Sequence, residues 1–375
     1  MIDYVEVRNN ETELISIIDA FQSVIWHSIY FGVGDFEVYT EATPEAVETL
    51  VKGNYITRPD DIEIGIIENV NIVNDIQGGK MISATGRFSK SILDRRLIYN
   101  LSGNSNKATV LRGNVEEKAR QLVYDNAIDC PFNSKRNIAI LELGELAGIP
   151  ARIVNAKGYA TQKQVSYQNL LEYSDSFLEE YGLASIVVLN PDRKKLLYVV
   201  YNGIDRSANN TDGNTPIVFS QEFDNLISSE YSYITTAEKN AALIGGAGEG
   251  VARFYSTIEG EETDLDRREM FIDASGINRT YTDENEVEQT YTDEDYTEMI
   301  QAKGAQDIAP LKAVESFAGV IDIVNGNWIY NRDFALGDIV TVQDNSIGKY
   351  INVRITEITE VQDENGYTVE AAYKS

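Results

Sequence analysis

The chain is short of the residues on which most protein chemistry depends. It has one cysteine, Cys130, and one histidine, His27, in 375 residues. A single thiol excludes an intramolecular disulfide and a cysteine-based metal site, and it points to maturation in a reducing compartment. Any Ser-His-Asp or Cys-His arrangement would have to use His27, which stands beside Trp26 in an apolar stretch and is expected to be a packed core or interface residue. No GxSxG or HExxH pattern occurs. Long apolar runs are missing as well: no window reaches about 18 apolar residues, and the start has no basic region ahead of an apolar one. Neither a membrane-spanning helix nor a secretory leader is expected. Positive charge is scarce, with 32 Lys and Arg against 60 Asp and Glu, a net charge of −28 and a pI near 4.4. Because Lys and Arg supply most of the affinity for phosphates, such a chain repels nucleic acid.

What is present is tyrosine, at 22 residues, together with abundant Thr, Val and Ile. These side chains suit a pleated, half-buried surface, so a mainly β protein with a helical part is expected. Ile29 to Thr40 alternates around Gly32 and Gly34, and two further apolar runs flank a turn from Asp75 to Gly79. From Asn114 the period changes: Val115, Ala119, Leu122, Val123 and Ala127 fall on one helical face, with Asn114 and Glu117 spaced as a capping box. A second helix is read from Ser134 to Ala147, stopped by Gly148 and Pro150, and a third from Leu170 to Tyr181, stopped by Gly182. Two apolar strands then surround a Pro-Asp turn at Pro191 and Asp192. Residues 259–298 carry 15 acids against three arginines and repeat a short motif, YTDEN at Tyr281 and YTDED at Tyr291. They read as a solvated hairpin followed by a short helix from Thr292 to Lys303. Alternation returns near the end, with a hairpin turn from Asp363 to Gly366.

Candidate chemical motifs are partial. Gly245 to Gly250, GGAGEG, lacks the GK[ST] of a phosphate loop and runs into strand-like VARFYST, so a bend or bulge is expected. The acids from Asp283 to Glu288 place Glu288 where a calcium loop needs glycine, although Glu294 occupies the bidentate position, and a solvated loop is the better reading. No catalytic, cofactor-binding or metal-ligating residue is assigned. The pairs Arg95/Arg96 and Arg267/Arg268 stand amid acidic sequence and suit either clamps between subunits or surface ion pairs.

Several segments, in order, resemble the tail-hub family of siphoviruses. The resemblance rests on Trp26, Tyr30, Gly34, Phe36 and Glu37; on Gly86, Leu93, Arg95 and Arg96; on the helix after Asn114; on Asp205, Arg206, Phe219, Ser220, Asn225, Leu226 and Arg253; and on Gly337 and Asp338. The stretch from about Asp273 to Asp307 has no clear counterpart. The resemblance implies an α+β, mainly β fold: two tube-type β-barrel-like domains, an inserted α+β domain and a small acidic peripheral segment. The corresponding division is 1–112, 113–205, 206–272, 273–309 and 310–375. It further implies a virion protein at the tail tip, not an enzyme. Three copies would form a hub ring continuing the tail tube, contacting the distal tail protein, the tape-measure protein and receptor-binding or fibre proteins. DNA would pass without specific binding, and no stable membrane insertion is implied. The alternatives are a tail-borne cell-wall-degrading enzyme and a host-surface carbohydrate-binding module.

Overall fold

The computed structural model describes residues 1–75, 79–102, 105–107, 109–111, 114–145, 163–190, 194–282, 287–321, 327–346 and 348–374. The chain divides into two compact units, Met1–Glu230 with Phe317–Ser375, and Tyr231–Ser316. The fold is mainly β with separate helical layers, as the composition requires, and among the described residues no sheet closes into a barrel.

The first unit is built on a ten-stranded sheet. Its backbone is a run of antiparallel strands in the order Gly366–Lys374, Lys349–Asp363, Phe21–Ile29, Asp35–Glu41, Gly79–Arg87 and Asn69–Asp75. The strand Ile339–Asp344 pairs with Lys349–Asp363, and Val218–Ser220 pairs with it in turn. The remaining two strands are those along which the chain leaves this unit and returns. N-terminal and C-terminal β segments are therefore one sheet, joined where Ile29 faces Glu357 and Val24 faces Gln362. Two-residue periodicity fixes which face is buried: Val24, Trp26, Phe36, Val38, Ile82 and Ala84 point inward. A second sheet of four strands, ordered Leu14–Ile18, Val5–Arg8, Tyr55–Thr57 and Ile64–Ile66, covers that face with Val5, Val7, Ile18 and Ile56 in one core. Each large apolar side chain buried there contributes roughly 1.5–3 kcal/mol.

The α+β part packs around a second core that it shares with Tyr55, Ile64 and Ile66 of the four-stranded sheet. Helix Val115–Val123 begins as its spacing predicts: the Asn114 side chain accepts from Glu117 N, and Glu117 accepts from Asn114 N, both at 2.8 Å. Helix Leu170–Glu179 ends near Gly182, whose φ of +67° suits glycine. Over its described residues, 134–145, the run read as a helix from Ser134 to Ala147 is not one. Ser134–Arg136 forms a single 3₁₀ turn, and Leu141–Leu143 is a strand parallel to Lys195–Tyr201, itself antiparallel to Ala184–Asn190. A short apolar run fits either period, and the open edge of this sheet decided for the strand. Gly148 and Pro150 lie outside the described residues.

The second unit is a three-stranded sheet, ordered Tyr255–Ile258, Ala241–Gly245 and Glu269–Asp273, with helix Asp293–Ile308 against one face. Thr292 caps the helix through Asp295 N. Tyr296 is fully buried; its hydroxyl donates to Ile277 O at 2.7 Å and accepts from Ala247 N at 2.8 Å. Thr280–Thr282 and Glu288–Thr290 form the expected hairpin, and the tyrosines of the repeat, Tyr281 and Tyr291, meet with ring centroids 4.5 Å apart. Residues 283–286, on which the calcium-loop reading falls, lie outside the described residues. GGAGEG forms the connection between antiparallel strands, not a bulge within one: Gly248 and Gly250 both have positive φ, and the strand resumes at Tyr255.

Candidate functional site

Opposite the buried face of the ten-stranded sheet lies a face that no other sheet of the first unit covers. The alternation that buries Trp26 and Phe36 sends their neighbours outward. Asp35, Glu37 and Glu41 stand along one strand, Met81, Ser83 and Thr85 along the next, and Glu357, Thr359 and Glu370 across the junction. Registers His27↔Asp35, His27↔Thr359 and Thr359↔Glu370 carry this surface without a break from the N-terminal to the C-terminal strands. His27 is not packed in the core. It sits half-exposed on the face, with Nδ1 3.3 Å from Asp35 and Nε2 3.4 Å from Glu357, bridging acids of two strands. Arg87 at the margin is taken up by Glu68 and Asp94. The surface carries more acids than bases, and a cavity of about 460 Å³ opens on it beside Glu230, Glu357, Thr359 and Glu370.

Beneath the face, a buried charge cluster locks the junction. Arg58, with 1% of its side chain exposed, follows the strand Tyr55–Thr57. Its guanidinium donates to both oxygens of Glu360, at 2.8 and 3.2 Å, and to both of Asp60, at 3.0 and 2.8 Å. It lies 5.4 Å from the Trp26 ring, and Trp26 is the residue directly opposite Glu360 across the junction. Tyr367 donates to Glu360 as well. Burial alone would lower the Arg58 pKa, but the hydrogen bonds from Asp60 and Glu360 hold it well above the ordinary value. The charged residues here are thus paired with several hydrogen bonds each, the condition under which a buried ion pair is tolerated.

A second node ties the α+β part to the C-terminal strands. The Tyr30 hydroxyl donates to Gly182 O at 3.1 Å and accepts from Gly203 N at 3.2 Å, and its ring packs edge-on against Tyr201. Gly337, at φ +93°, lies against that ring; a Cβ there would come within 2.2 Å of it. Asp338, almost fully buried, accepts from Ile204 N at 2.7 Å, Arg206 Nε at 2.9 Å and Ala335 N at 3.0 Å. Asp205 accepts from Ser207 N. So Tyr30, Asp205, Arg206, Gly337 and Asp338, scattered through the sequence, converge.

Trp26 and Phe36 form a separate aromatic cluster with Phe88, and Gly34 is required beside it because a Cβ would meet His27 O at 1.9 Å. Asn225 closes a local turn, accepting from Ser220 N and donating to Val218 O. Arg95 is half-exposed, 4.0 Å from Glu68, and Arg96 donates to Arg136 O. Arg253 stands in the second unit, where it donates to Gly245 O, Gly246 O and Asp273. Arg267 pairs with Glu259 and Glu269, and Arg268 with Glu238.

Between the two nodes is a cavity of about 130 Å³, bordered by Asp61, Glu63, Tyr201, Arg206, Tyr330 and Asp338. Burial pushes Asp61 up to about 6 against the pull of Arg58. Burial, reinforced by Asp61, pushes Glu63 up to about 8. Proton-holding acids of this kind can serve catalysis. This space holds only a few waters at roughly 30 Å³ each, whereas a second cavity of about 330 Å³, bordered by Glu6, Arg8, Arg58, Asp61 and Glu63, reaches the ~300 Å³ at which ligand pockets begin. Arg58, Asp61 and Glu63 were invisible to sequence reasoning, since RPDDIE reads as an ordinary polar turn.

The family described as Siphovirus ReqiPepy6 Gp37-like protein matches residues 4–373. No curated protein matches the sequence. Among solved structures, the fold is similar to a tail protein from Neisseria meningitidis MC58, with TM-score 0.59, 13% identity, and 99% of this chain and 96% of that one covered. It is similar to the 43 kDa tail protein of prophage MuSo2 from Shewanella oneidensis, with TM-score 0.60, 11% identity and coverage of 99% and 98%. It is also similar to prophage tail protein gp18 from Listeria monocytogenes EGD-e, with TM-score 0.53, 12% identity and coverage of 99% and 94%.

Proposed function

Given that this chain belongs to the Siphovirus ReqiPepy6 Gp37-like family, matched over almost its whole length, we propose that it is a structural protein of a phage tail and forms the hub ring at the tail tip. The observation that carries the reading is the uncovered acidic face of the ten-stranded sheet, continuous across the N-terminal and C-terminal strands. Three copies arranged with that face inward make a lumen lined by Asp35, Glu37, Glu41, Glu357 and Glu370. DNA crosses such a wall without adhering, because like charges face it.

The free edge of the sheet supports association of copies. Among the described residues Asn69–Asp75 pairs on one side only and exposes Val70, Ile72 and Val73, with neither lysine nor proline within the strand to blunt it. An edge of this kind requires a mate, and ring closure supplies one. Contacts with the distal tail protein above, the tape-measure protein within and receptor-binding or fibre proteins around complete the assignment. The role is scaffolding: Asp61 and Glu63, the acids of raised pKa, stand beside the Arg58–Glu360 pair that joins the N-terminal and C-terminal strands. A reconstruction of purified particles tests the reading. Threefold density for this chain around the tail axis is expected; density elsewhere, or none, would overturn it.

A further inference from the structure

Among the described residues, the second unit's sheet has helix Asp293–Ile308 against one face and nothing packed on the other, whose centre is apolar. Leu243, Tyr255 and Phe271 project from its three strands with 44%, 50% and 53% of their surfaces exposed. Leu243 faces Phe271 directly in the register. Arg253 lies between the two rings, 5.9 Å from Tyr255 and 5.4 Å from Phe271, and is fixed by Gly245 O, Gly246 O and Asp273. The turns at the two ends of the sheet present Val251 and Leu265 almost wholly to solvent, at 108% and 96%.

We infer that this face is a docking surface for a second tail protein whose contacting patch is apolar at its centre and basic at its rim. Aromatic side chains and arginine are the residues that dominate protein interfaces, and an arginine already held by three acceptors loses little freedom on binding. Charge decides the occupant. The unit carries 19 acidic and 7 basic residues, a net charge of −12, with Glu269 and Asp273 flanking Phe271 on the same face. A second copy of this chain would bring the same −12 and be repelled, whereas a basic rim is attracted and steered. A neutral glycan gains nothing from the acids, and the branched Leu243 at the centre breaks the flat platform on which a sugar ring stacks. The inference rests on the tail assignment proposed above, and the experiment separates the two.

A photoreactive benzophenone amino acid is placed at Phe271, and separately at Glu298 on the opposite helix as a control, in the full chain of infectious particles. Purified tails are irradiated and the adducts identified by mass spectrometry. The expected result is one adduct from position 271, with a different tail protein, through a peptide containing Lys or Arg, and none from position 298. Tails carrying L243E and F271E should retain this chain and lose at least tenfold of that partner; the cross-link reads out even where the double variant fails to assemble. No adduct, an adduct with a second copy of this chain, or an adduct only with cell-wall glycan added to the tails would overturn the inference. Tails that lack the wild-type chain altogether would overturn the tail assignment with it.

Discussion

The two units use charge in opposite ways. In the first, the decisive pairs are buried and join residues far apart in sequence: Arg58 reaches Glu360 across 302 positions and Arg206 reaches Asp338 across 132. In the second, pairs such as Arg267–Glu269, Lys303–Asp307 and Arg279–Asp293 are local and largely exposed, and most of the acids face water. Buried pairs cost desolvation and return it only through correct geometry, so they specify how distant strands meet. Exposed local pairs contribute little to stability and leave a charged surface available to a partner. The first unit is accordingly a scaffold whose halves are locked together, and the second a module that folds on its own local contacts.

The comparison breaks most sharply at Arg58. Arg58→Met leaves Glu360 and Asp60 without their partner beneath the sheet, and we expect a loss of ~3–5 kcal/mol from the first unit. Both tryptophans, Trp26 and Trp328, belong to that unit, so urea unfolding followed by tryptophan fluorescence isolates it. An unchanged midpoint would show that the lock is dispensable. Gly337→Ala should cost about 3 kcal/mol by the same readout, because the new Cβ meets the Tyr30 ring and the +93° φ is strained for alanine.

A pH series sharpens the contrast. Glu63 holds its proton up to about pH 8 when folded, against an ordinary value of 4.5. Between those values the folded state keeps a proton the unfolded chain has released. Stability of the first unit should therefore be fully present below about pH 4.5 and decline as pH rises through 8. Glu63→Gln, fixed in the neutral form, should exceed the wild type by up to ~5 kcal/mol at alkaline pH and match it in acid. A parallel decline in both proteins would assign the effect elsewhere. The smallest effect is expected in the second unit: Thr292→Ala removes the cap of the long helix and should cost ~1 kcal/mol, seen by amide exchange along Asp293–Ile308 with tryptophan fluorescence unaltered.

Much of this architecture was legible from local signals. The alternation from Ile29 to Thr40 located Asp35–Glu41, and the Asn114 to Glu117 spacing marked a helix start that the structure closes with two hydrogen bonds. The segment Ser134 to Ala147 misled, because an apolar run of that length fits a helix until a neighbouring strand competes for it. His27 reads from its apolar neighbours as a packed core or interface residue, and strand parity rules out the core by putting it on the open face between two acids. The junction could not be read at all: nothing near Arg58 announces Glu360, and Gly337 becomes intelligible only when Tyr30 is seen against it. Tyr30, Asp205, Arg206, Gly337 and Asp338 were singled out by family resemblance, and the structure brings these five together. Their contacts join three parts of the chain.

The central claim is that the acidic sheet face is the wall past which DNA moves, and reversing its charge tests this most directly. Particles carrying Asp35→Lys, Glu37→Lys, Glu357→Lys and Glu370→Lys should assemble tails of normal composition, since these side chains lie on the open face of the sheet. The rate of DNA ejection, followed by dye fluorescence on receptor-triggered particles, should fall at least tenfold and recover as salt is raised. Ejection at the wild-type rate from such tails, at every salt concentration, would contradict the account.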